Sequence, residues 1–364
     1  MKKYLFVIVI TFVSLLSVSA CNNKTNNGGE NTDGNAVLAD NPYVQTEFLL
    51  DTVCRVKVYD KGKQEALEKA MQRIADLGDQ LTIHENGSIM DKVNKHAGIE
   101  AVQVPNDVYY LVKEGIKYSE ESGGSKDITI GPLTLLWGIG SENARKPSDS
   151  EIQDVLPLIN YKNVELNDEN QSIYLKEKGM ALDLGSIAKG FIADEAAEVL
   201  RDNGVTSAII DLGGNIYVIG KSPDGSDWNI GVQDPLESRG VSIGYIPKSD
   251  ASVVTSGIYE RFLEVDGVTY PHIFNPKTGY PYNNDIAGVS IIAEKSIDAD
   301  ALASAAYSKG IKEGVAFIEE FENIDAIFVS KDKRVYTTSG VKDVFKLTSS
   351  EYRIGDINDL KGSE

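Results

Sequence analysis

The stretch Met180–Asp194, M-A-L-D-L-G-S-I-A-K-G-F-I-A-D, reads as a strand ending at Asp183, a turn at Gly185 and a helix capped by Ser186. This reading puts Lys189 in the first helical turn. A helix start is electropositive, and a cation there costs roughly a few tenths of a kcal/mol. The same helix start attracts anions such as phosphate. A solvated surface lysine explains the position equally well from this feature alone.

Outward from that turn, helices and strands alternate without a strict βαβ rhythm. Gln64–Leu81 carries apolar residues at Leu67, Ala70, Met71, Ile74, Leu77 and Leu81, the spacing of an amphipathic helix. Asn106, after Pro105, reads as the cap of a helix running to about Ser122, stopped by Gly123–Gly124. Ser296 reads as the cap of another helix, ending near Gly310, and the Ser186 helix ends near Gly204. Thr46–Tyr59 alternates as a strand. Further strands are expected at Asp227–Val232, Val241–Ile246, Ile286–Ala293, Ile324–Ser330 and Arg334–Thr338. The pattern predicts an α+β fold with a largely antiparallel sheet.

The N-terminus sets the expected compartment. Lys2 and Lys3 precede the uncharged run Tyr4–Leu16, and V-S-A-C ends at Cys21. The run is short for a span of about 20 residues and fits a signal peptide over 1–20, with Cys21 resembling a lipidated lipobox cysteine. Residues 21–41, rich in Asn and Gly, read as a flexible tether. The main domain is expected over 42–350, with a tail over 351–364. The expected location is the extracytoplasmic face of the cell membrane.

Removing residues 1–20 takes away two lysines and no acid, leaving 34 basic against 55 acidic residues, a net of −21. This argues against nucleic acid as a partner. An anionic substrate would need local cations or a metal. Cys54 is the only cysteine after Cys21, so no disulfide network is expected.

Several segments carry chemistry. Gly267–Gly279, G-V-T-Y-P-H-I-F-N-P-K-T-G, packs His272, two prolines, a lysine and two glycines into a short linker, a composition that suits an anionic ligand. Val253–Arg261 is a second polar turn with hydroxyls and an arginine. Gly124–Gly138 reads as a strand after a Gly-Gly turn with Trp137 in the core, though Lys126, Asp127 and Thr129 crowd its entrance. In S-I-D-A-D-A-L-A-S-A-A-Y, Asp300 and Ser304 are four residues apart and share one helix face, a pair able to serve a hard cation such as Mg²⁺. Carboxylates near a helix start are also favoured by the dipole alone. D-L-G-G-N (Asp211–Asn215) reads as a glycine bend before it reads as a phosphate cradle. G-x-G-x-x-G, P-loop and H-E-x-x-H patterns are absent, and the scattered His84, His96 and His272 disfavour zinc.

Taken in order, these segments resemble the ApbE family, the FAD:protein FMN transferases. L-L-D-T (Leu49–Thr52) is similar to its M-G-T or M-D-T opening, and G-S-K-D-I-T-I-G-P-L-T-L-L-W-G to its G-x-F-D-x-T-x-G-P-L-x-x-L-W-G. L-D-L-G-S-I-A-K-G-F-I-A-D, I-I-D-L-G-G-N, W-N-I-G-V-Q-D-P, V-T-S-G-I-Y-E-R-F, Y-P-H-I-F-N-P-K-T-G and D-A-D-A-L-A-S-A follow in family order. The resemblance implies a T-fold-like α+β arrangement of two lobes around an FAD cleft. It implies Mg²⁺-dependent transfer of FMN from FAD, through a phosphoester, to a threonine or serine of exported or membrane flavoprotein acceptors, with AMP leaving. Position by position, it implies FAD contacts at Leu50, His84, Ser125, Lys126, Asp127, Asp183, Lys189 and His272. The metal would be held by the main-chain oxygen of Ser186 and the side chains of Asp300 and Ser304. Ser304 replaces the family's threonine, and Lys126 replaces a phenylalanine.

The residue chemistry agrees with that assignment. Attack on a pyrophosphate needs charge neutralisation and alignment. Mg²⁺ and Lys189 would provide a local positive field in an acidic chain. His272 is a candidate to accept the proton of the incoming hydroxyl, or to orient the phosphate. Two other readings use the same site: FAD hydrolysis to FMN and AMP, and a non-catalytic FAD-binding lipoprotein.

Overall fold

The computed structural model describes residues 37–83 and 86–360. The expected signal peptide, lipidation site Cys21, the tether up to residue 36, and His84 lie outside the described residues.

Nine strands form the central sheet, in the order Leu38–Leu49, Thr52–Asp60, Ala208–Leu212, Asn215–Ile219, Ala251–Gly257, Ile286–Ala293, Asp325–Ser330, Arg334–Thr337 and Arg353–Ile354. All neighbouring pairs are antiparallel except the last. The expectation of an α+β fold with a largely antiparallel sheet is met. Alternate residues of the central strands feed opposite cores: Val254, Val289 and Phe328 pack on one face, and Val253, Ile292 and Ile327 on the other. Helices Gln64–Leu81, Ala188–Asp202 and Ser296–Ile318 cover the first face. The small sheet of Trp228–Gln233, Ser242–Lys248 and Lys346–Leu347 covers the second. Every residue of Ile286–Ala293 is therefore buried, which explains a sequence that is apolar except for Ser290, whose hydroxyl bonds Thr255 Oγ1 at 2.7 Å. The described residues form one compact unit.

Several local expectations are corrected. Thr46–Tyr59 is not one strand: the chain reverses at Leu50 and Asp51, both left-handed with φ of 55°, between strands that pair Leu49 with Thr52. Such two-residue turns normally announce themselves with Asn-Gly or Asp-Gly, and Leu-Asp gives no such signal. The strand expected before Asp183 is only an isolated bridge between Ala181 and Ile130. Gly124–Gly138 is a loop leading into the helix Gly131–Trp137, with Pro132 in its first turn. Trp137 is buried as expected, and its indole donates to the Gly279 carbonyl at 3.0 Å.

The caps also move. Neither Ser186 nor Ser296 caps a helix through its side chain: the first helix starts at Ala188, and Ser296 is already helical. The start of the second is capped by Asp194 of the neighbouring helix, which accepts from the Ser296 and Ile297 amides at 2.7 and 2.9 Å. Burial pushes that carboxyl up to about 7. Asn106 is the first helical residue, not the cap. Gly310 is a kink inside the long helix and not its end. At the termini, Leu38–Leu49 takes the last residues assigned to the tether. Beyond residue 350, Tyr352 is buried and Arg353–Ile354 joins the sheet, so the expected tail at 351 is part of the fold.

Candidate functional site

One cleft of about 670 Å³ collects nearly every residue singled out from the sequence. Leu50, Ser125, Lys126, Asp127, Asp183, Ser186, Lys189, His272, Asp300 and Ser304 all line it.

Its acidic corner is made where two helices cross. Asp300 is buried on the Ser296–Ile318 helix, and its Oδ2 accepts the Gly190 amide at 2.9 Å. That contact depends on a bare α-carbon, because a Cβ on Gly190 would sit 2.3 Å from the Ser296 carbonyl oxygen and 2.7 Å from the Asp300 Cβ. Its other oxygen, Oδ1, accepts no hydrogen bond among the described residues and faces Lys189 Nζ at 4.0 Å. Lys189 stands in the first turn of its helix, as the sequence predicts. One turn beyond Asp300, Ser304 donates weakly to the Ala301 carbonyl at 3.3 Å, leaving the lone pairs of its oxygen free.

Among the described residues, no three His, Cys, Asp or Glu side chains cluster closely enough to hold a metal. Any metal in this corner would rely on one carboxylate, one hydroxyl and a main-chain oxygen. That all-oxygen set suits a hard divalent ion that keeps water and phosphate ligands. Asp300 Oδ1, which takes no hydrogen bond among the described residues and lines the cleft, is the oxygen such an ion would engage.

The Gly124–Gly131 loop forms the floor. Lys126 is buried, and its Nζ donates to the Ser186 carbonyl at 3.2 Å. Burial pushes its pKa down to about 7, opposed by the negative charge of Asp300. Asp127 spends both carboxylate oxygens on the chain: Oδ1 accepts from Thr129 N and Oγ1 at 2.8 and 2.6 Å, and Oδ2 from Tyr161 N at 3.0 Å. Its role is to hold the loop's shape. Ser125 Oγ is tied to the Ser122 carbonyl and to Ser308 at 3.1 and 2.8 Å. Asp183 accepts from Thr134 Oγ1 at 2.6 Å and from Gly185 N at 2.9 Å, so Thr134 is a site residue that the sequence reading missed.

His272 follows the short strand Val268–Pro271 and is half-buried. Its Nδ1 lies 3.1 Å from the Arg261 carbonyl. A carbonyl can only accept, so Nδ1 carries the hydrogen and Nε2 keeps its lone pair. Burial, with smaller contributions from Lys189 and Arg261, pushes the imidazole down to about 4 and keeps it neutral. Of the segment read as suited to an anionic ligand, His272, Ile273 and Phe274 line the cleft. Lys277 and Thr278 are exposed and do not line the cleft, and Asn275 uses its side chain to close the turn on Lys277 N at 2.9 Å.

The mouth joins Arg239, which carried no sequence signal, to Arg261 of the polar turn singled out in the sequence. Arg239 bridges Glu260 at 2.9 Å, and Arg261 lies 3.8 Å from Asp51 at the hairpin tip. D-L-G-G-N is the glycine bend: Gly213 and Gly214, φ 66° and 96°, turn one strand into the next, and Asp211 accepts the Gly214 amide at 2.9 Å. A Cβ on Gly213 would meet Thr52 Oγ1 at 2.2 Å, so the bend also packs against the first hairpin.

With this geometry in hand, comparison with known proteins decides the family. Residues 50–328 match the ApbE family. The chain belongs to the ApbE family. The FAD:protein FMN transferase of Treponema pallidum (strain Nichols) is 34% identical, with 85% of this chain and 90% of that protein covered. That of Klebsiella pneumoniae (strain 342) is 33% identical, covering 86% and 97%. The crystal structure of the ApbE protein from Thermotoga maritima superposes with a TM-score of 0.77 at 32% identity, covering 83% of this chain and 99% of that one. The flavin transferase ApbE from Vibrio cholerae gives 0.74 at 26% identity, covering 83% and 99%.

Proposed function

We propose that the protein is an FAD:protein FMN transferase. The observation that carries this reading is a single cleft presenting a buried carboxylate beside a lysine-bearing helix start and a neutral histidine with a free nitrogen. FAD is the substrate. A serine or threonine hydroxyl of a flavoprotein acceptor attacks the FMN phosphorus, a P–O bond forms, and the P–O bond to the AMP phosphate breaks. The hydroxyl proton passes to His272 Nε2. Lys189 stabilises negative charge developing on the diphosphate, and the low-polarity walls strengthen that attraction.

We further propose Mg²⁺ as the divalent ion of the acidic corner, held by Asp300, Ser304 and the Ser186 carbonyl. When bound, it would neutralise diphosphate charge, which a chain with a net charge of −19 otherwise repels. Cys21 and the apolar run before it support a lipid-anchored protein at the extracytoplasmic face, acting on exported or membrane flavoproteins.

Incubating the full chain in detergent with FAD, Mg²⁺ and a flavin-acceptor domain should yield a covalently fluorescent acceptor and stoichiometric AMP. Bound FAD with no labelled acceptor would overturn the transferase reading. AMP released without label would make the enzyme an FAD hydrolase.

A further inference from the structure

The long helix Ser296–Ile318 is broken once. Gly310 has φ 77° and ψ 176°, a conformation open in practice only to glycine. In an unbroken helix the Ile311 amide would donate to the Tyr307 carbonyl, one turn earlier. Here each of those groups meets a side chain from outside the helix. The Ile311 amide donates to Asp285 Oδ1 at 3.1 Å, and the Tyr307 carbonyl accepts from Asn284 Nδ2 at 2.5 Å. Two neighbouring residues thus stand in for the two halves of one helical hydrogen bond. The Asn284 side chain has one workable orientation, because its Oδ1 accepts the Ile286 amide at 3.0 Å while its Nδ2 faces a carbonyl. Ile286 opens the fully buried central strand, so the pair is rooted in the sheet.

The half of the helix before the break is the half that builds the cleft. Asp300, Ser304 and Ser308 recur along it at one-turn spacing and share one face. Asp194 holds its start, and Asn284 and Asp285 hold its end. Beside that end, Ser308 Oγ donates to Ser125 Oγ at 2.8 Å and the Tyr282 hydroxyl to the Ser125 carbonyl at 3.0 Å, which ties the floor loop to the same place. A break whose polar groups are satisfied by side chains lets the two halves take different directions without leaving them unpaired. The first half can then press against Gly190 while the second packs Phe317 and Ile318 into the core. Asn284, Asp285 and Gly310 do not themselves line the cleft.

We propose that Asn284 and Asp285 are positioning residues for the reaction: by bridging the break at Gly310 they set the direction in which the helix carries Asp300 and Ser304 into the cleft. The inference rests on the transferase reading for the reaction, and on the hydrogen bonds alone for the clip.

The test pairs hydrogen exchange with labelling kinetics on the full chain in detergent. Asn284→Asp keeps the acceptor for the Ile286 amide and removes only the donor to Tyr307. In the folded variant, amide exchange across 296–311 should quicken roughly tenfold, with the Gln64–Leu81 helix unchanged. Labelling should lose roughly tenfold or more in kcat, a larger factor than any rise in KM for FAD, because small misplacements weaken transition-state contacts first. Asp285→Ala should act in the same way through the Ile311 amide, and it carries the test if Asn284→Asp does not fold. Asp285→Asn keeps an acceptor oxygen and should stay within about twofold of the wild type in both readouts. Quicker exchange with unchanged kcat would overturn the proposal, since the pair would then serve stability alone. Slower labelling without quicker exchange would overturn it too, as would an Asp285→Asn form as impaired as Asp285→Ala. A wild type that labels no acceptor, with exchange responding as expected in the variants, would sink the transferase reading and leave the clip's hold on the helix standing.

Discussion

Asp300 sits on a 23-residue helix, with its carboxylate held by the amide of a second helix that can approach because residue 190 is glycine. His272 sits one residue past a four-residue strand, and its ring is oriented by a single carbonyl, that of Arg261, eleven residues earlier. The first wall of the cleft is fixed by helix packing and the second by turns tied to each other. Helix packing tolerates almost no displacement, since cores are close-packed and not continuously deformable. Turns hold a group through one or two hydrogen bonds. The wall proposed to hold the diphosphate and its ion is therefore the rigid one, and the wall proposed to face the acceptor is the adaptable one.

The largest expected effect breaks the rigid wall. Asp300→Ala should lower FMN labelling on the order of 10³-fold, because the corner loses the carboxylate proposed to hold the ion, and initial rates over a range of Mg²⁺ concentrations check it. On the adaptable wall, His272→Gln should reduce labelling roughly 10²-fold with little change in FAD affinity, as read by flavin fluorescence. If His272→Gln instead abolished FAD binding, the histidine would belong with the binding wall and the contrast would fail.

The pH dependence sharpens the same contrast. With its folded pKa pushed down to about 4, His272 should be unprotonated at every pH above that, so labelling should show no inflection near 6.5. The sign for stability follows from linkage. Between about 4 and 6.5 the unfolded chain binds the proton and the folded one does not, so this group's contribution falls as pH drops through that window. Denaturant titrations of wild type and His272→Gln at pH 7 and pH 5 should show a smaller loss in the variant.

Smaller effects test the supports. Gly190→Ala should destabilise by about 1–3 kcal/mol, by forcing the two helices apart, and shift the melting midpoint down by a few degrees. Lys277→Ala should leave labelling within about twofold, since that lysine is exposed outside the cleft. A strong loss there would restore the anion-binding reading of the whole Gly267–Gly279 segment.

The same division explains what could be read beforehand. The Gln64–Leu81 helix and the Ile286–Ala293 strand match their expected bounds, because each is set by a long, regular apolar pattern. Asp300 and Ser304 were legible for a similar reason, since helical spacing fixes which side chains share a face, and Lys189 from its place in the first turn of a helix. The Leu50–Asp51 reversal was not legible, since two left-handed non-glycine residues are imposed by the register of flanking strands. Nor was the pairing of Asp183 with Thr134, or of Arg239 with Glu260, because both join segments distant in sequence. Asp127 was recognised by its motif, but only its contacts reveal that it braces a loop.

The decisive measurement is a crystal structure of the protein soaked with FAD and Mn²⁺, with anomalous scattering used to locate the ion. This account predicts a single strong peak among the Ser186 carbonyl, Asp300 and Ser304, with diphosphate oxygens completing its shell and His272 Nε2 open to the acceptor side. A nucleotide bound elsewhere, or an ion that ignores Asp300, would contradict it.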